Sequence, residues 1–124
     1  MTGFIVFAHG SRIESANEAV RAVSAQLAAA GSHVVETAFL ELGQPDLAGA
    51  VAHLAERGAE RIVVLPYFLT LGTHMQRDLP KLAAEASARQ GGIPVTIAPP
   101  LDGHPALVNV LLDRAASALN GDAL

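Results

Sequence analysis

The chain has 124 residues, of which 51% are hydrophobic and 16% charged, and its net charge is −4. These values exclude a disordered chain, and the absence of cysteine excludes disulfides, iron–sulfur clusters and thiolate zinc sites. No apolar run approaches the roughly 18 residues of a membrane-spanning helix, no basic patch favours nucleic acid, and the apolar N-terminal stretch is too short for a secretion signal. We therefore expect a single cytoplasmic domain over 1–124 that binds neither membrane nor nucleic acid.

The first half of the chain predicts two strand–helix pairs. Residues 4–8 form a continuous apolar run, which is typical of a strand buried on both faces. Apolar residues recur at helical spacing over 13–30, which predicts an amphipathic helix. A second strand is expected over 33–40. Pro45 is then expected to open a second helix that ends near Gly58, since the first turn of a helix does not need the missing N–H.

The second half repeats the pattern. Residues 62–65 predict a third strand, and after a loop Asp78 is the predicted N-cap of a helix that ends near Gln90. A fourth strand is expected over 94–98 and a last helix over 105–119. This order predicts an α/β fold with a doubly wound, flavodoxin-like parallel sheet of four strands and helices on both faces.

In such a sheet, ligands bind beyond the carboxyl ends of the strands. His9 directly follows the first strand and His74 lies in the loop after the third, so two imidazoles fall on this edge. Glu41, after the second strand, adds a carboxylate. Imidazoles bind metals and exchange protons near neutral pH, and two imidazoles with one carboxylate suit a borderline divalent metal while leaving coordination positions for a substrate.

Several residues at the same edge give less specific signals. Tyr67 and Phe68 could stack on a flat ligand, although aromatic residues that follow a core strand usually pack. Arg77 and Lys81 could pair with ligand carboxylates, but solvent exposure is the usual state of such residues. The remaining histidines carry no clear functional signal and are expected to be structural, solvated or part of a turn: His33, His53 and His104.

Other familiar chemistries lack their motifs. The chain has neither a GxGxxG dinucleotide loop nor a GxxxxGK[ST] phosphate loop, and Ser11 is not in a GxSxG elbow. The phosphohistidine phosphatases carry Arg-His-Gly after the first strand, whereas this chain has Ala8-His9-Gly10. A small-molecule hydrolase or phosphatase is therefore the weakest of the function classes considered.

Five short segments, spread over most of the chain, carry a more specific pattern. They are Ala8-His9-Gly10-Ser11-Arg12, Phe39-Leu40-Glu41 with Pro45 downstream, Val64-Leu65-Pro66-Tyr67-Phe68-Leu69, Gly72-Thr73-His74 with Asp78-Leu79-Pro80, and Pro100-Leu101-Asp102-Gly103-His104-Pro105. Together and in this order they resemble the small class II chelatases, the CbiX/SirB-type sirohydrochlorin chelatases of cobalamin and sirohaem synthesis.

The resemblance implies insertion of divalent cobalt, iron or nickel into a sirohydrochlorin-type tetrapyrrole, without ATP and without an organic cofactor. His9 and His74 match the two histidines that the family uses for metal binding and proton removal, and Glu41 matches an acidic residue associated with the metal in some members. Because such macrocycles carry many carboxylates, Ser11 and Arg12 are expected to contact them.

The resemblance also implies an assembly. Longer members of the family place two such lobes around one cleft, whereas 124 residues supply one lobe. We therefore expect a symmetric homodimer in which the strand-end edges face each other around His9 and His74. The same edge would also suit a non-catalytic carrier of a tetrapyrrole or metal, which metallation above the spontaneous rate distinguishes from an enzyme.

Overall fold

Strands and helices alternate strictly in the computed structural model, which describes residues 1–31 and 33–124. Over those residues there are four strands, β1 (Thr2–Ala8), β2 (Val34–Phe39), β3 (Arg61–Pro66) and β4 (Val95–Ile97). The four helices in the same ranges are α1 (Glu14–Gly31), α2 (Leu47–Glu56), α3 (Thr73–Arg89) and α4 (Ala106–Leu119). No helix in the described part of the chain combines the length and the apolarity that crossing a membrane requires.

The strands form one parallel sheet in the order β2-β1-β3-β4, with β1 and β3 in its centre. The pairing of β1 with β2 ends at Ala8 opposite Phe39, and its pairing with β3 ends at Phe7 opposite Pro66. The carboxyl ends of these three strands therefore lie side by side at one edge. The predicted order of elements and the predicted α/β class are confirmed.

α2 and α3 cover one face of the sheet and enclose the hydrophobic core. Ile5 and Phe7 of β1 are fully buried against them, because alternate side chains of a strand point to the same face. The two helices contribute Leu54 and Leu79, which are also fully buried. Removing such a side chain, as in Leu54→Ala, costs about 2–5 kcal/mol of folding free energy.

The opposite face of the sheet carries α1, whose contact with the strands is partly polar. Asn17 and Ser24 are the buried residues of α1, and the Thr37 hydroxyl of β2 donates a hydrogen bond to Ser24 Oγ at 2.7 Å. The apolar stripe of the helix is only half-buried at Val23 and Leu27. α4 has no buried residue, so it does not complete this layer.

α3 begins several residues earlier than expected. Its first residue is Thr73, and Asp78 is not its N-cap, because the Gly72 carbonyl accepts the first helical hydrogen bond at 3.0 Å. Pro80 is a residue type favoured in the first turn of a helix, but here it lies inside α3. His74 accordingly occupies the first turn of a helix rather than a loop.

α2 begins later than expected, at Leu47, and Pro45 stands before its N-cap. The N-cap is Asp46, whose side chain accepts a hydrogen bond from the Gly49 N–H at 2.9 Å and so satisfies a donor of the first turn. The Pro45 carbonyl accepts a hydrogen bond from the Phe39 N–H, also at 2.9 Å. The segment between β2 and α2 is thereby held against the end of the strand.

Candidate functional site

His9 and Glu41 stand side by side because backbone pairing continues beyond the ends of β1 and β2. The Leu40 N–H donates to the Ala8 carbonyl at 2.9 Å. One residue further, the Glu41 N–H donates to the His9 carbonyl at 3.1 Å. His9 Nδ1 consequently lies 3.8 Å from Glu41 Oε1, and more than half of each side chain is exposed. An imidazole and a carboxylate are thus presented together to solvent.

The side chains of this His9–Glu41 pair are not joined by a hydrogen bond. Its separation of 3.8 Å exceeds a hydrogen bond, and exposed pairs of this kind contribute only about 0–1 kcal/mol. Within residues 1–31 and 33–124, no three side chains of histidine, aspartate or glutamate are grouped closely enough to hold a metal ion.

His74 is exposed at the start of α3, and its Nδ1 lies 3.2 Å from Nη2 of Arg77. A guanidinium group only donates hydrogen bonds, so Nδ1 is the acceptor in this contact. His74 and Glu41 line the same open groove, of about 510 Å³, together with Asp78 and Glu85. Glu41 therefore borders both predicted histidines: it lies beside His9 and shares a groove with His74.

Ser11 and Arg12 lie on the loop between His9 and α1. The Ser11 hydroxyl accepts a hydrogen bond from the Ile13 N–H at 3.0 Å, so it stabilises the turn before the helix. Arg12 is exposed, and its guanidinium is accessible to an anionic ligand.

Asn17 is a buried residue of this site that the sequence reasoning did not identify. It is 1% exposed, and its side-chain amide contacts both the loop after β1 and the loop after β2. Its signal in the sequence is weak, because asparagine is usually exposed and the surrounding helix is rich in alanine. Burial of the amide is stable because its polar atoms are hydrogen-bonded.

An aromatic and apolar segment, residues 67–69, directly follows β3, and its middle residue Phe68 lies beside His9. The ring of Phe68 lies 6.0 Å from that of Phe7 and 6.5 Å from that of His9, between centroids. Tyr67 and Leu69 are exposed. Phe68 therefore packs against the core beside the imidazole, while Tyr67 and Leu69 expose apolar surface directly after β3.

The other three histidines lie outside the groove that His74 and Glu41 line. The ring of His33 packs at a tilt against that of Phe4, with centroids 4.7 Å apart and 55° between the planes, at the amino edge of the sheet. His53 lies within α2. His104 Nδ1 accepts a hydrogen bond from the Ala106 N–H at 3.0 Å, which satisfies a donor at the start of α4.

Arg21 of α1 forms an ion pair near the loop after β2. Its Nη1 lies 2.7 Å from Glu14 Oε1, and this hydrogen bond lowers the pKa of Glu14 and raises the pKa of Arg21. The Arg21 guanidinium also lies over the ring of Phe39, 5.1 Å from its centroid. These contacts join α1 to the end of β2, although the charges themselves are exposed.

Comparison with known proteins places the chain in the CbiX family. The CbiX family model matches residues 3–118. The chloroplastic sirohydrochlorin ferrochelatase of Arabidopsis thaliana is 36% identical over 128 residues, which cover 98% of this chain and 56% of that protein. The sirohydrochlorin cobaltochelatase of Sulfolobus acidocaldarius is 33% identical over 122 residues, which cover 97% of this chain and 94% of that protein. The chain thus spans about half of the plant relative and nearly all of the archaeal one.

Two solved structures have the same fold as this chain. A CbiX protein from Marinobacter aquaeolei VT8 superimposes with a TM-score of 0.85 at 25% identity, over 97% of this chain and 98% of that one. The sirohydrochlorin chelatase SirB from Bacillus subtilis, in complex with cobalt, superimposes with a TM-score of 0.86 at 26% identity, over 94% of this chain and 50% of that one.

Proposed function

This chain belongs to the CbiX family, and on that premise we propose that it is a sirohydrochlorin chelatase, which inserts a divalent metal ion into the tetrapyrrole without ATP or an organic cofactor. The observation that carries the proposal is the His9–Glu41 pair, 3.8 Å apart at the carboxyl edge of the sheet. The metal ion is a substrate of the reaction, and Co²⁺, Fe²⁺ and Ni²⁺ all suit imidazole and carboxylate ligands.

Metallation replaces two pyrrole N–H protons of the macrocycle by one divalent ion, so two protons must leave the site. His9 and His74 first bind the incoming ion, each through its one free lone pair, and each then accepts a pyrrole proton with the lone pair that the departing ion vacates. At His74 the Arg77 guanidinium, which donates to Nδ1, must move away to free that lone pair. Glu41, which lies beside His9 and lines the same groove as His74, supplies a carboxylate that draws the cation to the edge of the sheet. The ion then passes to the four nitrogens of the macrocycle and the protons pass to water.

An open site favours this transfer. A closed set of four ligands would retain the ion, whereas the exposed His9–Glu41 pair leaves coordination positions for the macrocycle nitrogens. The exposed Arg12 binds a carboxylate of the tetrapyrrole, with Ser11 on the same loop. The exposed apolar side chain of Leu69 contacts the face of the macrocycle, where burial of apolar area stabilises the complex.

We further propose that the protein acts as a symmetric homodimer with the carboxyl edges of two copies facing each other. α4 supports this assembly because its large apolar side chains Val108, Leu111 and Leu112 are exposed and share one helical face. The same chain has an apolar groove of about 280 Å³, to which Val23 and Leu27 of α1 contribute.

The groove lies where a doubly wound fold carries its last helix, so α4 of a second copy is the occupant that we propose. Reciprocal exchange of α4 would bury both apolar faces in one two-fold interface. The segment before α4 is tied to the site, since the Leu101 N–H donates to the Phe68 carbonyl at 3.1 Å. The backbone of this segment is restricted by three prolines, Pro99, Pro100 and Pro105. This restriction opposes folding of α4 back onto its own chain.

Turnover distinguishes the enzyme from a carrier. Sirohydrochlorin and Co²⁺ are mixed with and without the protein at one-tenth of the tetrapyrrole concentration, and the absorbance of the metallated product is followed. A chelatase completes many turnovers above the spontaneous rate. A carrier that binds either substrate without accelerating the reaction would contradict the proposal.

A further inference from the structure

The side-chain amide of Asn17 joins the two loops that carry His9 and Glu41. Its Oδ1 accepts a hydrogen bond from the Ser11 N–H, and its Nδ2 donates to the Ser11 carbonyl, both at 2.9 Å. The same Nδ2 donates to the Leu42 carbonyl at 2.9 Å. Ser11 lies two residues after His9, and Leu42 directly follows Glu41, so one buried amide anchors both loops.

The loop after β2 has a conformation that needs such an anchor. Leu42 has a φ of +56°, in the left-handed region that residues with a Cβ rarely adopt. At the next residue, Gly43, a Cβ would lie 2.8 Å from the Phe39 ring and 3.2 Å from Asn17 Nδ2. The loop after β2 therefore packs closely against the Asn17 amide. The hydrogen bond from the amide to the Leu42 carbonyl stabilises the left-handed backbone of Leu42.

We propose that Asn17 is a positioning residue that sets the spacing of His9 and Glu41 for the incoming metal ion. This inference rests on the proposed chelatase function. Asn17 acts through the backbone of the two loops. Its amide offers an acceptor for one backbone N–H and donors for two backbone carbonyls. Neither aspartate nor an apolar residue of similar size offers that combination.

Asn17→Asp is the sharpest test, because it keeps the shape and the acceptor but removes both donors. The carbonyls of Ser11 and Leu42 would then face a carboxylate. We expect the KM for Co²⁺ in sirohydrochlorin metallation to rise about 10- to 100-fold, the range typical of residues that orient metal ligands, with a smaller fall in kcat. Gly43→Ala keeps the chemistry of the amide but crowds the Phe39 ring and Asn17 Nδ2, so it displaces the loop after β2 and is expected to raise the same KM less.

Ser24→Ala is the matched control, since it removes the other buried hydrogen-bonding side chain of α1, next to Thr37 rather than the loops. Its melting temperature is expected to fall while its KM for Co²⁺ stays at the wild-type value. A folded Asn17→Asp variant with an unchanged KM, or a rise in Ser24→Ala equal to that in Asn17→Asp, would overturn the positioning role. If Asn17→Asp does not fold, an unchanged KM in Gly43→Ala overturns it. A wild-type protein that forms no metallated product would overturn the chelatase function instead.

Discussion

The carbonyl oxygen of Glu41 occupies the place that a side chain at Gly10 would need. Gly10 has a φ of +95°, and a Cβ built on its backbone would lie 1.7 Å from that oxygen. Because the His9 carbonyl also accepts the Glu41 N–H, the two loops touch along their backbones. The proximity of the imidazole and the carboxylate therefore depends on the absence of a side chain between them.

Gly10→Ala is expected to destabilise the fold by more than about 3 kcal/mol, from the left-handed φ together with the clash. Gly58→Ala is the matched control, because Gly58 has a φ of +94° but no heavy atom within 4 Å of the added Cβ. It carries the conformational cost alone, about 1–2 kcal/mol. Urea unfolding measures the loss of unfolding free energy in each variant. Equal losses in Gly10→Ala and Gly58→Ala would show that the two loops separate without an energetic cost.

Glu41→Gln is expected to raise the KM for Co²⁺ about tenfold or more, because it removes the negative charge beside His9 while keeping the side chain's shape. Steady-state metallation at varied Co²⁺ measures this effect. Glu56→Gln, an equal charge change at the exposed last residue of α2, serves as the control. If both variants shift KM alike, only the net charge of the protein matters.

Leu111→Asp is expected to convert a dimer into a monomer, since it places a charge in the apolar face of α4. Asn109→Asp introduces the same charge elsewhere on this helix and is expected to leave the dimer intact. Sedimentation velocity at working concentrations distinguishes the two species. A wild-type protein that is monomeric and fully active would contradict the exchange of α4.

Glu14→Gln is expected to lower stability at neutral pH by a small amount, because the ion pair with Arg21 is exposed. The hydrogen bond with Arg21 lowers the pKa of Glu14 in the folded state. Its stabilising contribution is therefore present above the ordinary glutamate pKa, about 4.3, and is lost as the pH falls through the lowered value. Thermal unfolding should give different midpoints for wild type and variant at pH 7 that converge in acid. A difference that persists in acid would point to a role other than charge.

The alternation of strands and helices could be predicted because local patterns determine it. The buried strand around Ile5 and Phe7 is a continuous apolar run, and the positions of His9 and Glu41 follow from the rule that parallel strands end at one edge. The distance between those two side chains could not be predicted, because it depends on backbone pairing beyond the strands and on Gly10.

Two features escaped the sequence reasoning because tertiary contacts determine them. Asn17 is a polar residue in the buried face of α1, and only the loops that it anchors explain why it is there. The start of α3 was misplaced because Asp78 and Pro80 are typical of a first turn, whereas the helix begins after Gly72. The earlier start places His74 on a regular helical turn, where its orientation is better defined than in a loop.

The most direct test is the initial rate of Co²⁺ insertion into sirohydrochlorin by wild type, His9→Ala, His74→Ala and the control His53→Ala. His53 is an exposed histidine within α2, so its removal is expected to leave the rate unchanged. His9→Ala and His74→Ala should each lower the rate at least about 100-fold, the usual scale for losing a proton acceptor, with unfolding midpoints close to that of wild type. Near-wild-type insertion by both variants would contradict the assignment of metal binding and proton removal to these two histidines.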